Sequence, residues 1–229
     1  MAKLVWDQVG EKTYETGTKQ GVLYPQAANG TYPNGVAWNG LTSVSESPDG
    51  GDANDIYADD IKYLVLRGVE NFGGTIEAYT YPDEFAECDG SASLMAGVTI
   101  GQQPRKTFGF SYVSTIGNDT EMDNHGYKIH LIYGASASPS EKSYETINDS
   151  PEPIQFSWEF TTVPVPVTDH KATSMLTIDS TKFPPQQDGT KNAKLAAFEE
   201  VLYGTDAEGT SAGTSPRLPL PDEVLSLLS

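Results

Sequence analysis

Residues 154–161 read IQFSWEFT, and Ile154, Phe156, Trp158 and Phe160 alternate there with Gln155, Ser157, Glu159 and Thr161. A period of two predicts a strand with one face buried and one wet, and such clean alternation favours antiparallel pairing. Outward from this stretch, 107–116 repeats the pattern with Phe108, Phe110 and Tyr112 against Thr107, Gly109 and Ser111. Residues 127–133 do the same with Ile129 and Leu131 against Lys128 and His130. Segments 35–43, 61–67, 75–81 and 173–178 bring the total to about seven strands, enough for a sandwich or barrel-like sheet. The 22 glycines and 15 prolines punctuate the chain at turn spacing, as an all-β domain requires. The predicted fold class is mainly β, an antiparallel sandwich with one flanking helix, a long loop and extended terminal arms. That helix spans 191–203, where Leu195, Phe198, Val201 and Leu202 form a stripe and Gly204 stands where a left-handed cap would end it.

Two segments do not read as core. Residues 43–60 carry Glu46, Asp49, Asp52, Asp55, Asp59 and Asp60, no base, and a Pro-Asp-Gly-Gly turn, so they are expected to leave the sheet as a protruding acidic loop. Ile56 and Tyr57 give that loop an apolar pair able to plug a pocket on a neighbouring molecule. Residues 205–215 read as a flexible tether of about 20 Å reach. Beyond it, 216–229 place Leu218, Leu220, Val224, Leu225, Leu227 and Leu228 in a C-terminal arm, with Pro219, Pro221, Asp222 and Glu223 at a helix start. Six aliphatic side chains on a free tail demand burial, and the tether suggests burial on another subunit. The β domain is then complete within 1–204.

The net charge of −18 argues against a nucleic-acid reader, which needs Lys and Arg for phosphates. The opening MAKLVWDQVGEK lacks the apolar run of a signal peptide, and no stretch approaches a membrane span, so synthesis and folding in a cytoplasm are expected. The sequons at Asn29, Asn118 and Asn148 then carry no sugar. A lone cysteine, Cys88, allows no internal disulfide and reads as a buried small hydrophobe. His125, His130 and His170 stand at no metal-ligand spacing, and His130 is placed on the polar face of its strand. In 118–126, NDTEMDNHG, the alternation of Asp119, Glu121 and Asp123 imitates a calcium loop but misplaces its glycine, and a polar hairpin connection is the better reading. No nucleophile motif or phosphate loop appears; neither catalytic residues nor a cofactor or metal are expected.

The stretch IGNDTEMDNHGYKIHLIYGASASPSEKSYETINDSPEPIQFSWEFTTVPVPV at 116–167 closely resembles the major tail proteins, or tail tube proteins, of long-tailed bacteriophages. KLVWDQVGEKTYETGTKQGVLYP, KLAAFEEVLYGTD and RLPLPDEVLSLLS agree in order, so the resemblance covers nearly the whole chain, with the tether longer than the usual link. It implies a structural virion protein without enzymatic activity, forming homo-hexameric rings stacked into a hollow tube. It also implies a β-sandwich whose sheets close, six copies together, into a barrel around the lumen. The implied partners are the tape measure protein in the lumen, tail terminator and distal tail proteins at the ends, and double-stranded DNA passing without specific binding; no membrane is involved. A ring would carry about −108, which suits a conduit that phosphate must not stick to. Wet strand faces, Ser157, Glu159 and Thr161 among them, are the expected lumen lining, and the acidic loop is expected to reach an adjacent ring. The rival readings are an acidic sandwich binding carbohydrate or calcium on a tail tip or capsid, and a hydrolase using a carboxylate pair.

Overall fold

The computed structural model describes residues 3–147, 149–186, 189–207 and 213–229; Asn148 of the third sequon and positions 208–212 of the tether lie outside them. In chain order the strands are β1 (Thr13–Pro25), β2 (Val36–Trp38), β3 (Leu41–Glu46), β4 (Asp49–Gly50), β5 (Ala53–Ala58), β6 (Ile61–Arg67) and β7 (Glu70–Asn71). They continue as β8 (Gly73–Ala78), β9 (Ala92–Met95), β10 (Val98–Ile100), β11 (Phe108–Asn118), β12 (Met122–Ala137), β13 (Phe156–Thr162) and β14 (Met175–Asp179). The helices are α1 (Ala86–Asp89), α2 (Ala193–Tyr203) and α3 (Pro221–Leu228). None of them is long and apolar enough to cross a membrane.

One antiparallel sheet runs β2-β1-β11-β12-β13-β8-β3, with β14 added on β12. The long β12 serves two layers: it pairs with β14 over Lys128–Ile132 and with β13 over Ala135–Ala137. The handover is at Gly134, where φ is 60° and a Cβ would lie 2.2 Å from the Val163 carbonyl oxygen, so only glycine lets the strand turn out of one layer into the other. The sheet thereby folds over its first core, in which Trp38, Phe85, Phe110 and Trp158 meet with ring centroids 4.6–5.5 Å apart. Such tilted and edge-on pairs are the favoured aromatic contacts and fill a wide sandwich with few side chains.

A second core lies on the other side of β1, β11 and β12. Here the structure corrects the sequence reading. Gly109 and Ser111, expected on a wet face, are buried beneath Tyr24, Tyr32, Phe198 and Leu218. The Tyr24 hydroxyl donates to the Leu202 carbonyl at 2.8 Å and lies 3.4 Å from Ser111 Oγ, which gives these two buried hydroxyls partners. A helix and a returning arm supply the third layer that alternation within one strand does not announce.

α2 starts at Asn192, whose side chain accepts from the Lys194 amide, and buries Leu195, Phe198 and Leu202. Gly204 ends it with φ 77° and ψ 173°, extended rather than in the expected left-handed helical cap. That backbone region is open to glycine alone, and a Cβ there would sit 2.6 Å from the Thr214 oxygen. Segment 35–43 is divided into β2 and β3 by a turn at Asn39 and Gly40, and β1, unforeseen, is one of the longest strands.

Candidate assembly surfaces

The outer face of β3, β8 and β13 is built of hydroxyls and carboxylates. Cross-strand register sets Ser43 and Ser157 on either side of Glu77, and Ser45 and Glu159 on either side of Thr75. Thr161 follows opposite Gly73. Directly opposed residues share a face, so these form one polar patch while Val44, Ile76 and Trp158 point into the first core. Ser43 Oγ donates to Glu77 Oε2 at 2.9 Å, and Gln155 Nε2 to the same oxygen at 3.1 Å. An open trough of about 490 Å³ along this face is lined by Thr75, Glu159, Thr161 and Asp49. The expected Ser157, Glu159 and Thr161 are thus brought together; Ser43, Ser45, Thr75 and Glu77 belong with them and were missed, because only the pairing register reveals them.

Beyond β3 and β8 the same two strands run on as a ribbon. β4 pairs with β7 and β5 with β6, and the tip turns at Asp59 and Asp60, both with positive φ as tight hairpin turns need. At its root Gly51 and Gly68 pack backbone against backbone, with a Cβ on Gly51 only 2.8 Å from the Gly68 Cα. The excursion therefore extends past Asp60: residues 61–67, expected as a strand of the main sheet, are its return strand and are exposed throughout. One face sets Ile56 against Leu64 and Asn54 against Leu66; the other sets Asp55 against Val65 and Tyr57 against Lys62. Lys62 Nζ lies 2.7 Å from Asp55 Oδ2, an exposed pair of small energetic weight. Asp49 sits in the stem and Asp52 between stem and ribbon. Tyr57, Ile61, Tyr63 and Val69 are all at least 64% exposed. A lone two-stranded ribbon gains little from burial and is marginal in water, and this one leaves its apolar side chains uncovered.

The C-terminal arm, expected to leave for another subunit, lies on its own chain. Paired amide-carbonyl hydrogen bonds between Thr205 and Thr214 bring the two ends of the tether together. The Leu218 amide donates to the Tyr32 carbonyl, the Arg217 amide to the Val201 carbonyl, and the Tyr133 hydroxyl to the Pro219 carbonyl. Leu218 and Val224 are buried, Leu227 and Leu228 pack at the margin, and Leu220 and Leu225 stay partly exposed. Asp222 accepts from the Thr168 amide and hydroxyl, which hold its carboxyl below the usual range, and Glu223 is lowered by its forked pair with Arg217.

The remaining polar clusters have structural tasks. His130 stacks on Tyr112 with centroids 4.5 Å apart, its Nε2 2.9 Å from Ser114 Oγ and its Nδ1 3.5 Å from Glu46 Oε1. It is therefore enclosed at the end of the first core, where the sequence placed it on a polar strand face. Contact with His130, and then the hydrogen bond from Tyr112, hold the Glu46 carboxyl below its usual range. The order Ser114, His130, Glu46 imitates a hydrolytic triad, but Ser114 is 9% exposed in a strand paired on both sides. The contacts tie β3 to β11 and β12. In the 118–126 turn, Asn118 Oδ1 caps the amides of Thr120 and Glu121, Glu121 pairs with His125, and Asp123 accepts from Tyr14. Among the described residues no group of three or more His, Cys, Asp or Glu could hold a metal. Cys88 is buried, which pushes its thiol up to about 12.

No protein-family model matches the chain, and no curated protein matches it. Among solved structures, a chain of the anti-feeding prophage baseplate, determined by cryo-EM with 6-fold symmetry, is similar at 10% identity and a TM-score of 0.36, over 76% of this chain and 97% of that one. A likeness of that size carries neither fold nor function.

Proposed function

We propose that this chain is a structural virion protein, a tail tube subunit that assembles into hexameric rings stacked around a lumen. The observation that carries the reading is the continuity of two unlike surfaces on one pair of strands: β3 and β8 hold the polar, acid-bearing face and then project as a ribbon with bare apolar side chains. The polar face, with Ser157, Glu159 and Thr161, turns to the lumen, where hydroxyls and carboxylates hold water and repel phosphate, so DNA passes without binding. The ribbon reaches the adjacent ring with Ile56, Tyr57 and the aliphatic side chains of β6. The same assembly accommodates a tape measure protein in the lumen and terminator and distal tail proteins at its ends; the chain is made in the host cytoplasm and performs no catalysis. The C-terminal arm closes the subunit.

Sedimentation and negative-stain electron microscopy across a concentration series test this. Rings and stacked tubes with a central channel are the expected products. A monomer that persists at millimolar concentration overturns the proposal, as does a tube whose lumen is lined by Lys and Arg.

A further inference from the structure

Three Asn-Gly pairs stand five residues apart between β1 and β3: Asn29-Gly30, Asn34-Gly35 and Asn39-Gly40. An asparagine followed by glycine is the pair most prone to deamidate, because no side chain shields the next main-chain nitrogen as it closes a ring on the asparagine Cγ. The three pairs are alike in sequence, and all three asparagines are exposed. What separates them is the use the fold makes of each glycine amide.

The Gly30 amide donates to the Ala27 carbonyl at 2.9 Å, and Asn29 Oδ1 accepts from the Thr31 amide and hydroxyl, so nucleophile and electrophile are both engaged. The Gly35 amide donates to the Pro216 carbonyl at 2.8 Å, and Gly35 lies so close to the Tyr24 ring that a Cβ would come within 2.6 Å of it. The returning C-terminal arm thus holds the second pair. At the third pair, in the turn between β2 and β3, the Gly40 carbonyl accepts from the Tyr79 amide at 2.8 Å. Among the described residues neither the Gly40 amide nor the Asn39 carboxamide has a hydrogen-bond partner.

We propose that Asn39 is a site of spontaneous deamidation in the folded subunit, and that the fold protects Asn29 and Asn34 from the same reaction. The Gly40 nitrogen loses its proton to hydroxide and attacks Asn39 Cγ; the N–Cγ bond forms, the Cγ–Nδ2 bond breaks and ammonia leaves. Water then opens the succinimide at either carbonyl to give aspartate or isoaspartate, with no change of oxidation state. Each event adds one negative charge to a chain already at −18. The isoaspartyl product also adds a main-chain carbon between Trp38, whose indole N–H donates to the Thr80 carbonyl at 2.9 Å, and the Gly40 carbonyl held by Tyr79. β2 and β3 are the two ends of the folded sheet, so the change falls on the turn that joins them. The reaction needs a single folded subunit and no assembly.

The full-length protein, kept dilute in mildly alkaline buffer and sampled over time, is digested and read by peptide mass spectrometry, with fragment ions assigning each amide-to-acid conversion. A second portion is treated alike in urea, where the fold no longer occupies any glycine amide. In buffer, Asn39 is expected to convert about 3- to 10-fold faster than Asn29 or Asn34, the factor set by one hydrogen bond that must first break. In urea the three rates are expected to converge. An Asn39→Gln variant is expected to lose the fast conversion in buffer and keep the slow ones. Asn29 or Asn34 converting as fast as Asn39 in buffer overturns the proposal. So does an unchanged order of rates in urea, which would make the order a property of the sequence alone, and so does an Asn39 that converts in urea but stays intact in the folded chain.

Discussion

Residues 217–228 and residues 49–71 both mix aliphatic side chains with acids and both leave the main sheet. The first buries Leu218 and Val224 and completes the second core, while the second leaves Tyr63, Leu66 and Val69 each more than half exposed. Hydrophobicity does not separate them, since β6 reads IKYLVLR and the arm reads RLPLPDEVLSLL. What differs is the seat. Gly109 has no side chain, and the Leu218 methyl fills the space a Cβ would need, 2.4 Å away; the Tyr32 carbonyl then catches the Leu218 amide. The ribbon satisfies its backbone within itself, strand on strand, so the parent sheet has nothing to hold it by.

The comparison breaks if the arm proves dispensable. Leu218→Ala is expected to destabilise the subunit by about 2–4 kcal/mol, the usual loss for a buried leucine in a close-packed site, measured by urea unfolding followed by circular dichroism. A change under about 0.5 kcal/mol, the range of surface substitutions, would mean that the arm only rests on the sheet. Gly109→Ala sharpens the claim about the seat. One added methyl must displace Leu218 or the Tyr32 ring, and about 1–3 kcal/mol of overpacking cost is expected, read as a fall in denaturation midpoint. The ribbon should show the smallest effect. Leu64→Ser with Leu66→Ser is expected to shift subunit stability by less than about 0.5 kcal/mol while sedimentation shows assembly lost. Equal losses of stability in arm and ribbon variants would erase the distinction.

The fold was legible in the sequence where one face is wet and the other buried. β13 shows this: Phe156, Trp158 and Phe160 go inward and Ser157, Glu159 and Thr161 outward, which also gave three of the seven residues of the polar face. β11 was misread for a physical reason. Glycine and serine look like solvent-facing residues, but Gly109 is space for Leu218 and Ser111 is a partner for Tyr24, both visible only once the arm is in place. β1 escaped notice because Gly17, Gln20 and Gly21 interrupt its pattern at a β-bulge. β6 was assigned to the main sheet because a run of apolar residues says that burial is wanted and does not say by which molecule.

The ribbon also has a consequence in time. Its strands are neighbours in sequence and close through a two-residue tip, whereas the main sheet must bring β1 to β11 across a separation such as the 109 positions between Gly10 and Asp119. Hairpin closure takes about 1–10 μs, and sheets dominated by distant pairings take milliseconds to seconds. In the newly made chain the hairpin thus closes and reopens, marginal by itself, before the body it projects from has formed. During that interval the acids of β5 and the tip, with Lys62 and Arg67 on the return strand, guard IKYLVLR against pairing with the next unfinished copy.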